Sequence, residues 1–291
     1  MKNFILLSFL VLQSVLVFAQ EQPRVSQLFN FDWKFRAGDL KEAQLVTYDD
    51  DDWRVLDLPH DFQIEQTWDE SAGGARGFKA MGTGWYRKHF KANPAWKGKR
   101  VLLDFEGIML VGDVWVNGRK VGSTDYGYLG FETDITDLLK YDEDNVVAVW
   151  ASTGKKDGSR WYTGGGLFRD VHLVIKNPIA IARHGVFVST PKITEVSVQV
   201  ELEGIRNKSL GIEINARILA PDGKTVADTK GKAPQKSKLQ TVEVSLPIVT
   251  VDSPGLWSCE PPNLYTAEVS LVQDGKVIDC VTETFCTRTL E

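Results

Sequence analysis

The stretch Val111-Gly112-Asp113-Val114-Trp115-Val116-Asn117-Gly118-Arg119-Lys120-Val121-Gly122 decides the fold class. Its first six residues read as a strand and its last four as the return strand. Asn117-Gly118 between them accepts the positive φ that both central residues of a type I′ turn need, the strongest short-range hairpin signal. The same pattern continues outward. Residues 85–90 alternate and end near the turn-forming Asn93-Pro94, and residues 100–105, 145–151 and 171–175 read as further strands. The one helical candidate is a single turn over 134–139, with Asp134 as its cap.

The composition changes near 177–183, where Pro178 interrupts strand pairing. Eight of the nine Trp lie at or before Trp161, and only Trp257 lies after. The later part alternates more cleanly. Val196, Val198 and Val200 point one way, and Ile212, Ile214, Ala216 and Ile218 repeat the pattern, as do Val242, Val244 and Leu246. Pro221-Asp222-Gly223-Lys224 and Asp274-Gly275 are turns, and 264–272 and 278–287 read as closing strands. About seven strands in about 110 residues fits an immunoglobulin-like sandwich, here without the Cys…Trp…Cys spacing. Residues 230–238 read as a solvated loop.

The whole chain is 291 residues, with formal net charge −5, 43% hydrophobic and 25% charged residues. That composition excludes disorder as the main state, and the acidic balance argues against a nucleic-acid partner. Nine Trp, fourteen Phe, seven Tyr and 25 Gly suit an all-β exported protein. Two β domains fill this length, leaving no room for a further barrel of roughly 250 residues.

Residues 1–20 read as a secretory signal peptide. Lys2 is the positive n-region, residues 4–18 the apolar stretch, and Val17 and Ala19 the small residues before cleavage after Ala19 or Gln20. The apolar stretch is shorter than the roughly 20 residues of a spanning helix. No Cys follows it, and no other run is long enough to cross a bilayer. The expectation is a protein with no stable membrane anchor, periplasmic or secreted. Cys259, Cys280 and Cys286 match no zinc spacing. They read as small buried hydrophobes on strands.

Four stretches are candidates for chemistry. Asp49-Asp50-Asp51-Asp52 has oxygen ligands suited to calcium but no regular ligand spacing, so it reads as a solvated turn. In Leu58-Pro59-His60-Asp61-Phe62, His60 and Asp61 either line a pocket or cap a local turn. The hairpin around Asn117-Gly118 reads as structural. Arg160-Trp161-Tyr162 opens a glycine-rich loop through Gly164-Gly165-Gly166 to Asp170. Sugar C–H faces stack on aromatic rings, while guanidinium and phenol groups bond hydroxyls, so this loop suits sugar recognition or else holds a core Trp. The three glycines also suggest a phosphate cradle, but no Lys-Ser/Thr follows. No placed carboxylate pair, nucleophile elbow or zinc-type His pair is visible, so no catalytic residue, metal ligand or cofactor is assigned.

Taken in order, these motifs resemble the N-terminal half of the family 2 glycoside hydrolases, the β-galactosidase group. Phe31-Asp32-Trp33-Lys34-Phe35 is similar to that family's opening strand. Asp52-Trp53 with Leu58-Pro59-His60-Asp61, then Gly84-Trp85-Tyr86-Arg87-Lys88, follow in the family's order. Phe105-Glu106-Gly107 to Val114-Trp115-Val116-Asn117-Gly118, with Phe131 and Asp134-Ile135-Thr136, is the most specific run. Arg160-Trp161-Tyr162 to Gly166-Leu167-Phe168-Arg169-Asp170-Val171 comes next. Leu256-Trp257-Ser258, Pro262-Asn263-Leu264-Tyr265 and Phe285-Cys286-Thr287-Arg288-Thr289 close the match.

The resemblance implies an all-β chain, with a jelly-roll, galactose-binding-like sandwich over 21–180 and an immunoglobulin-like sandwich over 181–291. It also implies a TIM barrel beyond them that carries both catalytic Glu. Leu290-Glu291 falls where that barrel would begin. In relatives the first domain reaches over the barrel and helps close the terminal sugar site. Asp61 falls where the family places a sugar-bonding Asn or Asp, and Trp161 and Tyr162 would form the rim. Arg160 falls in a loop that in some relatives carries an Asp bound to sugar and sodium. A guanidinium cannot ligate a cation, so no sodium site is expected. The partners implied are a glycan substrate and the catalytic barrel, in cis or as a separate partner. The chain alone is expected to be inactive. A stand-alone carbohydrate-binding protein is the alternative, and an interaction module with an exposed apolar patch is a third reading.

Overall fold

The computed structural model describes residues 22–154, 161–205, 211–235, 237 and 239–288. The expected signal segment 1–20, Arg160 and the final Leu290-Glu291 lie outside the described residues.

The first part is built from β1 (Val25–Leu28), β2 (Trp33–Ala37), β3 (Arg54–Leu56), β4 (Thr83–Lys91), β5 (Arg100–Phe105), β6 (Val111–Val116), β7 (Arg119–Thr124), β8 (Phe131–Asp134), β9 (Asp144–Ser152) and β10 (Val171–Lys176). One sheet runs β3-β2-β4-β9-β6-β7, and the facing sheet runs β1-β10-β5-β8. Between them Trp33, Phe35, Tyr86, Val114, Val147 and Val149 meet Val101, Leu103, Phe105, Leu173 and Ile175 in one core. The hairpin turn carries the expected signature, with Asn117 at φ 50° and Gly118 at φ 81°. The Asn117 side chain does more than turn the chain. Its amide donates to Leu138 O and Asn145 Oδ1 and accepts from Val146 N, tying the hairpin to β9. The 134–139 turn is a 3₁₀ turn, Thr136–Leu138, with Asp134 Oδ1 accepting the Thr136 N–H at 3.0 Å.

β9 is buried on both faces, which explains its mixed pattern. Val147, Val149 and Ala151 face the sandwich core. Ala148 and Trp150 face outward into a second cluster with Ala43, Trp53, Trp85 and Val111. The loop before β3 therefore covers the outside of the large sheet, and the first part's Trp surplus is spent on two hydrophobic layers. Asp50 anchors that cover, which corrects the reading of residues 49–52 as a solvated turn. Asp50 is 4% exposed and meets Arg87 Nε at 2.5 Å, Lys34 Nζ at 2.6 Å and His89 Nε2 at 2.8 Å. A carboxylate surrounded by three nitrogen groups is an ion-pair hub and has no room for calcium. Asp51 and Asp52 do lie at the surface, paired with Lys34 and Arg36.

The second part comprises β11 (Ala180–Lys192), β12 (Glu195–Glu203), β13 (Glu213–Leu219), β14 (Thr225–Lys232), β15 (Thr241–Ser245), β16 (Val249–Thr250), β17 (Tyr265–Gln273) and β18 (Lys276–Phe285). β11-β12-β15, with β16 on β12, faces β14-β13-β17-β18. Val196, Val198, Val200, Ile212, Ile214, Ala216 and Ile218 all enter its core as their alternation predicts. The short β16 raises the strand count above seven. Lys230 and Lys232 belong to β14 and not to a loop. They pair with Asn215 and Glu213 on an edge strand, where exposed lysines deter pairing with another chain. The cysteines are free, and Cys259 is exposed and off any strand, so the buried-strand reading fails for it. Cys280 lies on β18, where burial pushes its thiol upward, and Cys286 follows that strand.

Charged side chains lock the two sandwiches together. Fully buried Lys176 reaches Glu132 at 3.0 Å and Glu203 at 2.7 Å, and Arg100 bridges Asp134 and Glu203. Arg24 grips both oxygens of fully buried Asp279, and Ile181 N donates to its Oδ2 at 2.7 Å. No helix among the described residues is long and apolar enough to cross a membrane.

Candidate functional site

Asp61 sits where two loops are laced together. His60 N donates to Leu167 O at 2.7 Å, and Phe62 N to Gly165 O at 2.9 Å. The short stretch after β3 therefore pairs with the glycine-rich loop before β10. Asp61 Oδ1 accepts from Gln63 N at 2.9 Å and Gly165 N at 2.8 Å, and Oδ2 accepts from Tyr162 Oη at 2.6 Å. This carboxylate thus realises the turn-capping reading, and it does so while bonded to Tyr162. Burial, then the hydrogen bond to Asp61, pushes the Tyr162 phenol well above its ordinary value, so it stays protonated and donates.

The three glycines are required by close approach, not by a phosphate. A Cβ at Gly164, where φ is +74°, would stand 2.7 Å from Asp61 Oδ2. One at Gly166, where φ is +113°, would overlap the Tyr86 hydroxyl. His60 turns inward. Arg54 Nη2 lies 2.9 Å from His60 Nε2, and a guanidinium can only donate, so Nε2 accepts. Nδ1–H then faces Tyr86 Oη at 2.8 Å. Burial lowers the His60 pKa against the pull of Glu65, which keeps the ring neutral. His60 is therefore a structural support for the Asp61 turn.

Trp161 is 57% exposed and donates Nε1–H to Tyr128 Oη at 3.1 Å. Tyr128 meets Tyr126 and Phe168 edge-on, with centroids 5.8 and 6.4 Å apart. An exposed aromatic rim thus borders the Asp61–Tyr162 pair. Below it a narrow cleft is lined by Gln63, Met81, Leu110, Thr153, Trp161 and Thr163. Gln63, one of these lining residues, is 2% exposed, and among the described residues its buried Oε1 has no hydrogen-bond partner. Of the four residues expected at the site, Asp61, Trp161 and Tyr162 come together, and Arg160 lies outside the described residues. Sequence reasoning missed Tyr128, Phe168 and Gln63. Only Gln63, two residues after Asp61, carried a local signal, because an Asp accepts from the amide two residues on.

The fold pairs a sandwich bearing an aromatic-rimmed loop cluster with an immunoglobulin-like sandwich, and known proteins share this arrangement. Residues 71–178 match the family model "Glycosyl hydrolases family 2, sugar binding domain", and residues 184–288 match "Glycosyl hydrolases family 2". The chain belongs to glycosyl hydrolase family 2. It is 33% identical over 263 residues to a β-galactosidase of Bacteroides ovatus, covering 88% of this chain and 31% of that protein. A β-glucuronidase of Bacteroides fragilis is 32% identical over 290 residues, covering 94% of this chain and 39% of its own length. A family 2 crystal structure from Bacteroides cellulosilyticus superposes with a TM-score of 0.83 at 36% identity, over 90% of this chain and 35% of that one. The chain thus spans about a third of the length of these relatives.

Proposed function

We propose that this chain is the exported, non-catalytic N-terminal part of a β-galactosidase-like family 2 enzyme. In this reading a barrel, in cis or as a partner, supplies the two carboxylates of a retaining glycosidase. Asp61, held by Tyr162 and Gly165, faces the terminal sugar, and Trp161 stacks at the rim. The observation that carries the reading is the Asp61–Tyr162 pair beside the exposed Trp161–Tyr128 rim. Half-open aromatic surface suits one wall of a sugar site, and the barrel completes the enclosure that a small ligand needs. Among the relatives named above are a β-galactosidase and a β-glucuronidase, which support a terminal β-glycoside as the substrate class. Lys2, the apolar stretch 4–18 and Ala19 support export to a periplasm or beyond the cell. N-terminal sequencing of the exported protein tests that point, with the mature chain expected to begin near Gln20.

The exposed rim also favours one rival, a stand-alone carbohydrate-binding protein. Calorimetry of the pure chain with methyl β-galactoside separates the two. The fragment reading expects no saturable heat at millimolar sugar, because one wall of a site binds weakly. Saturable binding at millimolar or tighter affinity supports the stand-alone reading.

A further inference from the structure

We propose that Glu106, Asp170 and His172 form a binding site for a divalent first-row transition-metal ion of zinc type. The three side chains lie on the outer face of the β5–β10 ladder. Their neighbours Phe105, Val171 and Leu173 enter the core, so the alternate positions point out. The Glu106 N–H donates to Asp170 O at 3.1 Å, which sets the two carboxylates side by side. One ligand atom from each of the three residues falls within 4.8 Å of the others, and all three are half-buried. His172 Nε2 and Glu106 Oε1 are 3.2 Å apart. Two ligands on a tetrahedral ion with bonds of about 2.0–2.1 Å stand ~3.3 Å apart, so this edge of the site is already at coordination distance.

Charge and orientation also favour a dication. Among the described residues, neither Glu106 nor Asp170 pairs with a Lys or Arg, and Arg183 on the same face is engaged by Asp104 at 2.9 Å. Two carboxylates then share one imidazole, an excess of negative charge that a bound dication removes. Asp170 is oriented from behind. Asn30, 5% exposed, accepts from Val171 N at 2.9 Å, which fixes its amide so that Nδ2 donates to Asp170 Oδ1 at 2.8 Å. Outer-shell partners of this kind commonly aim metal-binding carboxylates. Among the described residues, no hydrogen-bond partner holds Asp170 Oδ2.

An imidazole with two carboxylates suits zinc or manganese, whereas calcium takes six to eight oxygens. Three protein ligands leave positions for water. The ion would pin the end of β5 to the start of β10. Gly107 beside it packs so closely on Phe168 that a Cβ there would lie 2.7 Å from the ring. The site would therefore brace the part of the aromatic rim that holds Tyr128.

The test is calorimetric titration of the chelator-treated chain with Zn²⁺, then Ca²⁺, alongside the variants His172→Ala and Glu106→Gln checked for folding by circular dichroism. The expected result is one Zn²⁺ per chain with Kd below ~100 μM, binding lost in His172→Ala, weakened at least ten-fold in Glu106→Gln, and Ca²⁺ at least ten-fold weaker. Co²⁺ substitution guards against the free cysteines, because a thiolate ligand gives an intense near-ultraviolet charge-transfer band. No saturable Zn²⁺ binding to the folded chain, equal binding by both variants, or a thiolate band for the bound Co²⁺ would each overturn the site.

Discussion

The Tyr162 hydroxyl donates to Asp61 Oδ2 across 2.6 Å, joining residues 101 positions apart. This bond adds a side-chain tie to the backbone bonds that lace the glycine-rich loop onto the turn after β3. Tyr162→Phe keeps the ring and removes the donor. A hydrogen bond to a carboxylate contributes about 1.5–3 kcal/mol, and partial exposure puts the expected loss at the lower end, about 1.5 kcal/mol. Urea unfolding of the variant measures it.

Two glycines of positive φ separate close approach from backbone strain. Gly166→Ala places a Cβ into the Tyr86 hydroxyl, whereas at Gly223, with φ +82°, a Cβ meets nothing within 4 Å. The expected cost at Gly223 is about 1 kcal/mol of strain. At Gly166 the overlap adds to it, for more than about 3 kcal/mol in total. Equal losses in thermal melts would refute the packing account of the glycine run.

Asp50 makes stability depend on acid. Burial alone would raise its pKa, but hydrogen bonds from Lys34, Arg87 and His89 hold it at about 2, below the ordinary 3.8. A pKa lowered on folding gives stability that is present above pH 3.8 and lost as pH falls through 2. The shift corresponds to about 2 kcal/mol. Urea midpoints at pH 5 and pH 2 should show that loss in the native chain and a smaller acid dependence in Asp50→Asn.

Lys176 is fully buried between Glu132 and Glu203 at the junction of the sandwiches. Lys176→Met keeps the volume but strips a cation from Glu132. Breaking a buried ion pair in this way costs about 3–5 kcal/mol. Calorimetric melting should show a single transition for the native chain and two separated transitions for the variant.

Much of this architecture is visible in local chemistry. The Asn117-Gly118 turn, the valine alternation of β12 and the isoleucine alternation of β13 each follow from one element's own period. What escaped depends on distant partners. Asp50 sits in a run of four acids, and nothing local shows that Lys34, Arg87 and His89 converge on it. The lysines of β14 look like a loop until the edge position of that strand explains them. At the candidate site, the motif order pointed to Asp61, Trp161 and Tyr162, and Asp61 and Tyr162 are hydrogen-bonded. Tyr128 and Phe168 reach the rim only through the packing of separate loops. The glycine run pointed to phosphate or sugar, and its cause is the approach of Asp61 and Tyr86.

The central claim is that these two sandwiches shape a sugar site and leave bond cleavage to a barrel. The most direct measurement is turnover of nitrophenyl β-galactoside by the purified chain. The account predicts release of nitrophenol no faster than the buffer blank. Saturable turnover that survives repurification, and that is abolished by substituting a carboxylate of this chain, would contradict it.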